Sequence, residues 1–269
     1  MNEGQRRIAL LLEYDGTAFV GSQWQPNGRT VQAVLEAALS EFTGEAFDVD
    51  SPSGSRRIAF AGRTDSGVHA SGQVAALSTA TQHSPATCRD ALNHFLPEDV
   101  VVRAAAEVAA SFDPRRQAVG RRYRYRMEDG RGRSPFTRGH AWQLERPLDV
   151  PAMAEAMALL PRTDRDWAAF GGPVPDGYPT VRRLLDARVE RCGPHTVQVE
   201  VEATGFLPHQ VRRMIGALER VGSGRLDPSG FAALVDGAPA SAGPAAPPQG
   251  LTLVEVRYPP STIEWGMTI

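Results

Sequence analysis

Ile8-Ala9-Leu10-Leu11-Leu12-Glu13-Tyr14, closed by Asp15-Gly16-Thr17, reads as a buried strand ending in a turn. Its apolar run is too short for a signal core or a membrane span. Beyond it, Val31, Val34, Leu35, Ala38, Leu39 and Phe42 recur at steps of three and four. That spacing predicts one face of an amphipathic helix, and Gly44 stands just past its end. Residues 48–55 are polar and rich in Gly and Pro, which predicts a loop. Residues 58–61 and 73–78 read as two strands. Ser84-Pro85 opens a second helix through Ala91 and Leu92, with Ser as cap and Pro in the first helical position. A strand begins at residues 100–102. The order is strand, helix, two strands, helix, strand.

The second half repeats that order. Residues 123–127 form a strand and 151–160 a helix. Residues 185–190 and 196–202 form a strand pair turning at Gly193-Pro194. Val211, Met214, Ile215, Leu218 and Val221 mark a helix, Asp227-Pro228 opens another, 238–249 is a loop, and 251–258 is the last strand. Two β-α-β-β-α-β units predict an α+β protein of two ferredoxin-like halves, residues 1–112 and 113–269. Each half has an antiparallel sheet, and a cleft between the halves is the natural ligand site.

The chain has 269 residues, 42% of them hydrophobic, enough for one large or two medium cores. Its net charge of −2 does not attract polyanions globally, so any nucleic-acid surface must be a local patch. All 29 basic residues are Arg. A GC-rich genome accounts for that bias, and every cationic contact is therefore a planar, permanently charged fork. Cys88 and Cys192 match no metal or redox spacing, which with the lack of a signal peptide predicts a reducing, cytoplasmic setting.

The run Ala61-Gly62-Arg63-Thr64-Asp65-Ser66-Gly67-Val68-His69-Ala70 packs two glycines, a cation, a carboxylate and an imidazole behind a strand. An isolated Arg-Thr-Asp would usually be a capping surface turn. Here glycines on both sides let the backbone come close to a ligand, and Arg63 can bind a phosphate. Nine arginines from Arg115 to Arg138 are opposed only by Glu128 and Asp129, with Tyr123 and Tyr125 interleaved. Arginine with aromatics is the footprint of an RNA site. On a strand, the tyrosines share one face, toward core or cleft, while Arg122, Arg124 and Arg126 share the outward one. Residues 205–216, Gly-Phe-Leu-Pro-His-Gln-Val-Arg-Arg-Met-Ile-Gly, join a strand to a helix. Arg212 and Arg213 stand in the first turn, where the helix dipole disfavours cations, so each wants a carboxylate or phosphate nearby. Asp65 is a candidate partner. His209 fits a structural or RNA-contacting role better than metal ligation, because no second ligand lies at a suitable spacing.

Asp15-Gly16-Thr17, Thr30-Val31-Gln32, the run at 61–70, residues 93–97, Arg122-Tyr123-Arg124-Tyr125 and residues 206–216 occur in that order. Together they resemble the TruA-type tRNA pseudouridine synthases, over nearly the whole chain. The resemblance implies isomerisation of uridine to pseudouridine at positions 38, 39 and 40 of the tRNA anticodon arm, with no metal or organic cofactor, by a homodimer. It implies that Asp65 is the catalytic aspartate, Tyr123 the active-site tyrosine, Arg212 the arginine paired with that aspartate, and Arg63 an arginine handling the flipped-out nucleotide. His69, Arg122, Arg124 and His209 are assigned to RNA contact. One departure stands out: the family usually has Trp after the glycine matching Gly21, whereas this chain reads Ser22-Gln23-Trp24-Gln25. A carboxylate beside C1′ can stabilise positive charge there, attack it, or take a proton from C2′, and the residues leave all three open. The rival reading is a non-catalytic RNA-binding protein of the same fold. A nucleosidase using Asp65 lacks an obvious second carboxylate.

Overall fold

Strand β1 (Arg6–Tyr14) keeps Ile8, Ala9, Leu10, Leu12 and Tyr14 out of solvent and is paired on both edges. Its neighbours are β3 (His69–Thr79) and β4 (Val100–Val108), both antiparallel, with Leu10 facing Ala75 on one and Ala105 on the other. Ile8, Ala9 and Leu10 are buried in succession, so both faces of the strand are covered there, and that explains the continuous apolar run where a strand with one wet face would alternate. The computed structural model describes residues 5–45 and 58–266, so the loop expected at 48–55 lies outside the described residues. The chain folds as two compact units, Met1–Val119 with Leu253–Ile269, and Gly120–Thr252.

In the first unit, helix α1 (Val31–Thr43) starts where the Thr30 hydroxyl accepts the Ala33 N–H and stops at Gly44, which has φ +70°. Helix α2 (Pro85–Phe95) starts at the Ser84 cap and packs on β4 and α1. The short strand β2 (Ala59–Phe60) lies antiparallel to β3. The sheet order is β4-β1-β3, with β2 on β3 and the final strand, β10 (Leu251–Arg257), also beside β3. Gly72 allows that approach: a Cβ there would stand 2.3 Å from the Val254 carbonyl oxygen.

The second unit is built on β5 (Gly120–Glu128), β9 (Thr196–Ala203), β8 (Val181–Gly193) and β7 (Asp164–Asp166), in that order, with β6 (Trp142–Gln143) parallel to β5. Helices α3 (Val150–Ala158), α4 (Gln210–Gly222) and α5 (Pro228–Ala233) pack on one another, α3 also on β8. Among the described residues the molecule is thus mixed α+β with five α-helices and a large share of sheet. None of these helices is long and apolar enough to cross a membrane.

Candidate active site

The Asp65 run is the connection between β2 and β3. It leaves β2 where Ala61 N–H donates to the Val74 carbonyl (2.8 Å) and enters β3 at His69. Asp65 closes a tight turn: its carbonyl accepts the Val68 N–H at 3.1 Å, and Gly67 takes φ +75°, where a side chain would be strained. Asp65 itself is half-buried and Arg63 is exposed.

Three pieces of chain hold this turn from behind. Asp65 bridges to Gly21, and Ser22 N–H donates to the Thr64 carbonyl at 3.1 Å. The buried Ser22 hydroxyl returns the contact by accepting the Thr64 N–H at 2.9 Å. Phe19 offers its carbonyl to both the Gly67 N–H and the Ser66 hydroxyl, each at 3.2 Å. Arg29, paired with Asp99 through contacts of 2.6 and 2.8 Å, caps the Phe19 ring at 4.1 Å from its centroid. Gly16 N–H donates to His69 Nδ1 at 3.0 Å, and Gly16 packs so closely that a Cβ would fall 2.0 Å from the Val68 carbonyl oxygen. His69 is buried, with Nδ1 also 3.1 Å from Asp15 Oδ1, an atom that accepts the Thr17 N–H. It anchors the turn's exit.

Beneath lies a buried polar cluster. Tyr14 and Thr64 share a hydroxyl–hydroxyl hydrogen bond of 2.9 Å, and Gln73 Nε2 donates to the Gly62 carbonyl at 2.8 Å and reaches the Tyr14 hydroxyl at 3.4 Å. Burial pushes the Tyr14 phenol up to about 12, against the opposing pull of hydrogen bonds with Thr64, Gln73 and Ser22. Tyr14 is therefore neutral at every physiological pH.

In the second unit, Tyr123 and Tyr125 are buried and Arg122, Arg124 and Arg126 lie on the opposite face, as the period-two reading requires. The Tyr123 ring meets Phe206 edge-on, centroids 5.4 Å apart. The arginine face is self-neutralised. Arg122 pairs with Glu202 and Arg124 with Glu200, each at 2.8 Å, Arg126 pairs with Glu128 at 2.9 Å, and Arg188 adds a second contact to Glu200. All three glutamates are buried beneath the guanidiniums. Burial alone would raise the Glu200 carboxyl, but hydrogen bonds from Arg124 and Arg188 outweigh it and hold the group below the usual range.

His209 is exposed and caps α4 with φ +58°, a left-handed conformation uncommon for a residue with a Cβ. The backbone holds it there: Gly172 donates to the Pro208 carbonyl at 2.7 Å, the Gln210 side chain accepts the Leu207 N–H at 2.8 Å, and Arg213 N–H bonds the His209 carbonyl at 3.0 Å. A Cβ on Gly172 would stand 2.8 Å from the His209 ring. Arg212 is half-buried, its Nε donating to the Ala246 carbonyl at 2.8 Å while its own carbonyl accepts the Ala246 N–H at 2.8 Å.

Sequence reasoning does not single out Tyr14, Gly16 and Gln73 as supports. The signals that could find them are polar residues at the ends of apolar strand runs. Ser22 stands out in the sequence only where the family has Trp, and its place behind Thr64 gives it a definite task.

A family model described as tRNA pseudouridine synthase matches residues 11–115 and 164–259. A protein named tRNA pseudouridine synthase A from Roseiflexus castenholzii is 49% identical over 257 residues, covering 94% of this chain and 91% of the relative. Proteins of the same name are 44% identical in Myxococcus xanthus, covering 97% of each chain, and 40% identical in Geobacter sulfurreducens, covering 94% of this chain and 100% of the relative.

Proposed function

The chain belongs to the tRNA pseudouridine synthase family of isomerases, and from that premise we propose that it converts uridine to pseudouridine at positions 38, 39 and 40 of the tRNA anticodon arm. The observation that carries the catalytic assignment is the construction of the Asp65 turn. A half-buried carboxylate is held on a turn whose backbone is fixed by Ser22, Phe19 and Gly16, as a group acting on a reacting sugar needs to be.

The reaction breaks N1–C1′, turns the uracil and joins C5 to C1′. The hydrogen on C5 leaves as a proton, and N1 gains one. The target nucleotide must first leave its stack, at a cost recovered in pocket contacts. Asp65 acts at C1′ or C2′ of the extruded nucleotide. Tyr123 provides an aromatic face and a hydroxyl to the base, and Arg63 a cation for the adjacent phosphate. Arg212 is assigned the partner role toward the carboxylate on the family resemblance. The proposed ferredoxin-like character of the first half is supported by its β4-β1-β3 order with β2 on β3. A cytoplasmic homodimer acting on tRNA completes the reading.

Unmodified tRNA transcripts carrying tritium at C5 of uridine test it. Wild type should release tritium and leave pseudouridine in the anticodon arm, and Asp65→Asn should bind the transcript within several-fold but release none. Turnover by Asp65→Asn at the wild-type rate would remove the aspartate from the mechanism. Product mapped outside the arm would remove the positional assignment.

A further inference from the structure

Six arginines of the arginine-rich window fall into two structurally different groups. On β5 the guanidiniums of Arg122, Arg124 and Arg126 lie over buried glutamates. Past β5 the chain enters a turn-rich segment, residues 130–140, that contains Arg131, Arg133 and Arg138 and no acidic residue. All three arginines are exposed and make no hydrogen bond or ion pair with any described residue. Between them stands Phe136, 96% exposed; the next most exposed large hydrophobic among the described residues is Val181 at 55%. The ring is not on a loose end. Ser134 is buried and exchanges hydrogen bonds with the Gln143 side chain, at 3.2 and 2.6 Å. The Thr137 hydroxyl donates to Glu128, and Thr137 N–H and His140 N–H close successive turns onto the Ser134 and Thr137 carbonyls.

We propose that this pinned segment is an RNA-contacting surface, with Phe136 stacking on an unpaired or splayed base and Arg131, Arg133 and Arg138 engaging the phosphates beside it. An aromatic ring among unopposed arginines is the combination that binds single-stranded nucleic acid: the ring takes any base face, and the guanidiniums follow the backbone. Three cations without local acids repel a second copy of the same patch and attract a polyanion. Arg122, Arg124 and Arg126 are already paired with Glu202, Glu200 and Glu128, whereas Arg131, Arg133 and Arg138 face no acid in their own segment. The inference rests on an RNA substrate and deepens that reading, adding a contact surface separate from the Asp65 turn.

Binding of an unmodified tRNA transcript is measured by filter retention across a salt series for wild type, Phe136→Ala, and the triple variant Arg131→Gln, Arg133→Gln, Arg138→Gln, with sedimentation on the same samples. Because the ring touches no core, Phe136→Ala should unfold at the wild-type temperature yet bind about five- to tenfold more weakly, as expected for loss of one stacked base. The triple variant should lower the slope of log affinity against log salt by about 2, three phosphates at roughly 0.7 each for single strands. Affinity and slope unchanged in both variants would overturn the proposal. So would an unchanged affinity with a shift in sedimentation, which would assign Phe136 to a contact between copies of the chain. Polyuridylate binding is run in parallel. If wild type turns over no tRNA, the functional reading fails, while weaker polyuridylate binding by the variants would still support the surface and unchanged binding would overturn it.

Discussion

Replacing Gly16 by Ala tests whether the backing of the Asp65 turn matters to chemistry. The new methyl would lie 2.0 Å from the Val68 carbonyl oxygen and 2.5 Å from its carbon. Side-chain carbons do not approach closer than 3.0 Å, so the two segments must separate by about 1 Å, 3.0 less 2.0. The obstruction is backbone on both sides, and Val68 is bonded through its own N–H to the Asp65 carbonyl, so the displacement reaches the carboxylate. Misplacing a reacting group by 1 Å costs about 100-fold in rate, equivalent to about 2.7 kcal/mol. Overpacking a tight site costs about 1–3 kcal/mol of stability, a fall in Tm of about 3–10 °C in a protein of this size. The assay is single-turnover tritium release at saturating enzyme, with tRNA affinity and thermal unfolding measured on the same preparation. Gly193→Ala is the control, since its Cβ meets only Thr196 at 3.8 Å. A folded Gly16→Ala enzyme reacting at the wild-type rate would show that the turn tolerates the displacement without moving its aspartate, and the backing would then have no part in the chemistry.

Glu200→Gln should lower Tm by a few degrees, from a loss of about 1–2 kcal/mol discounted for the half-exposed arginine heads. The Glu200 carboxyl lies below its ordinary range in the folded state, so its contribution is present above the unfolded value and lost as pH falls through the folded one. Urea titrations from pH 6 downward should therefore show a shallower acid limb in the variant, and an identical limb would contradict the pairing. Tyr14 shifts the opposite way: its stabilisation is complete below the ordinary phenol value of 10.0 and is lost as pH rises through about 12. Tyr14→Phe should flatten the alkaline limb and cost about 1 kcal/mol at neutral pH from the broken hydroxyl contacts, and an unaltered alkaline limb would place the titration elsewhere.

Local signals make much of the fold legible. Thr30 and Gly44 bracket α1, Ser84-Pro85 and Asp227-Pro228 open helices, and the alternation on β5 sorts tyrosines from arginines. What escapes is set by distant partners. Strand β3 begins at His69, ahead of the apolar run at 73–78, because the chain there pairs with β1 at Tyr14 and Ala70, which no local pattern announces. Strands β6 and β7 are two and three residues long, too short to show a period. In the site, Asp65 is legible from its glycines. Its supports are not, because Tyr14, Gly16 and Ser22 come together only when β1 and the segment after it fold behind the turn. The pairing of the arginine ladder is hidden for the same reason: the glutamates at 200 and 202 lie far along the chain, on a strand that meets β5 only in the folded state.

The last strand carries a consequence for biosynthesis. From Leu253 onward the chain belongs with the first unit, where β10 lies beside β3 and the Val119 N–H donates to the Arg257 carbonyl. A ribosome therefore releases the whole of residues 120–252 before it releases the strand that completes the unit begun at the N-terminus. The segment made second is the first whose own sheet and helices are all available, and the carboxylate-bearing unit waits, with the edge of β3 covered only by β2 at Ala75 and Ala76, for the strand that begins at residue 251.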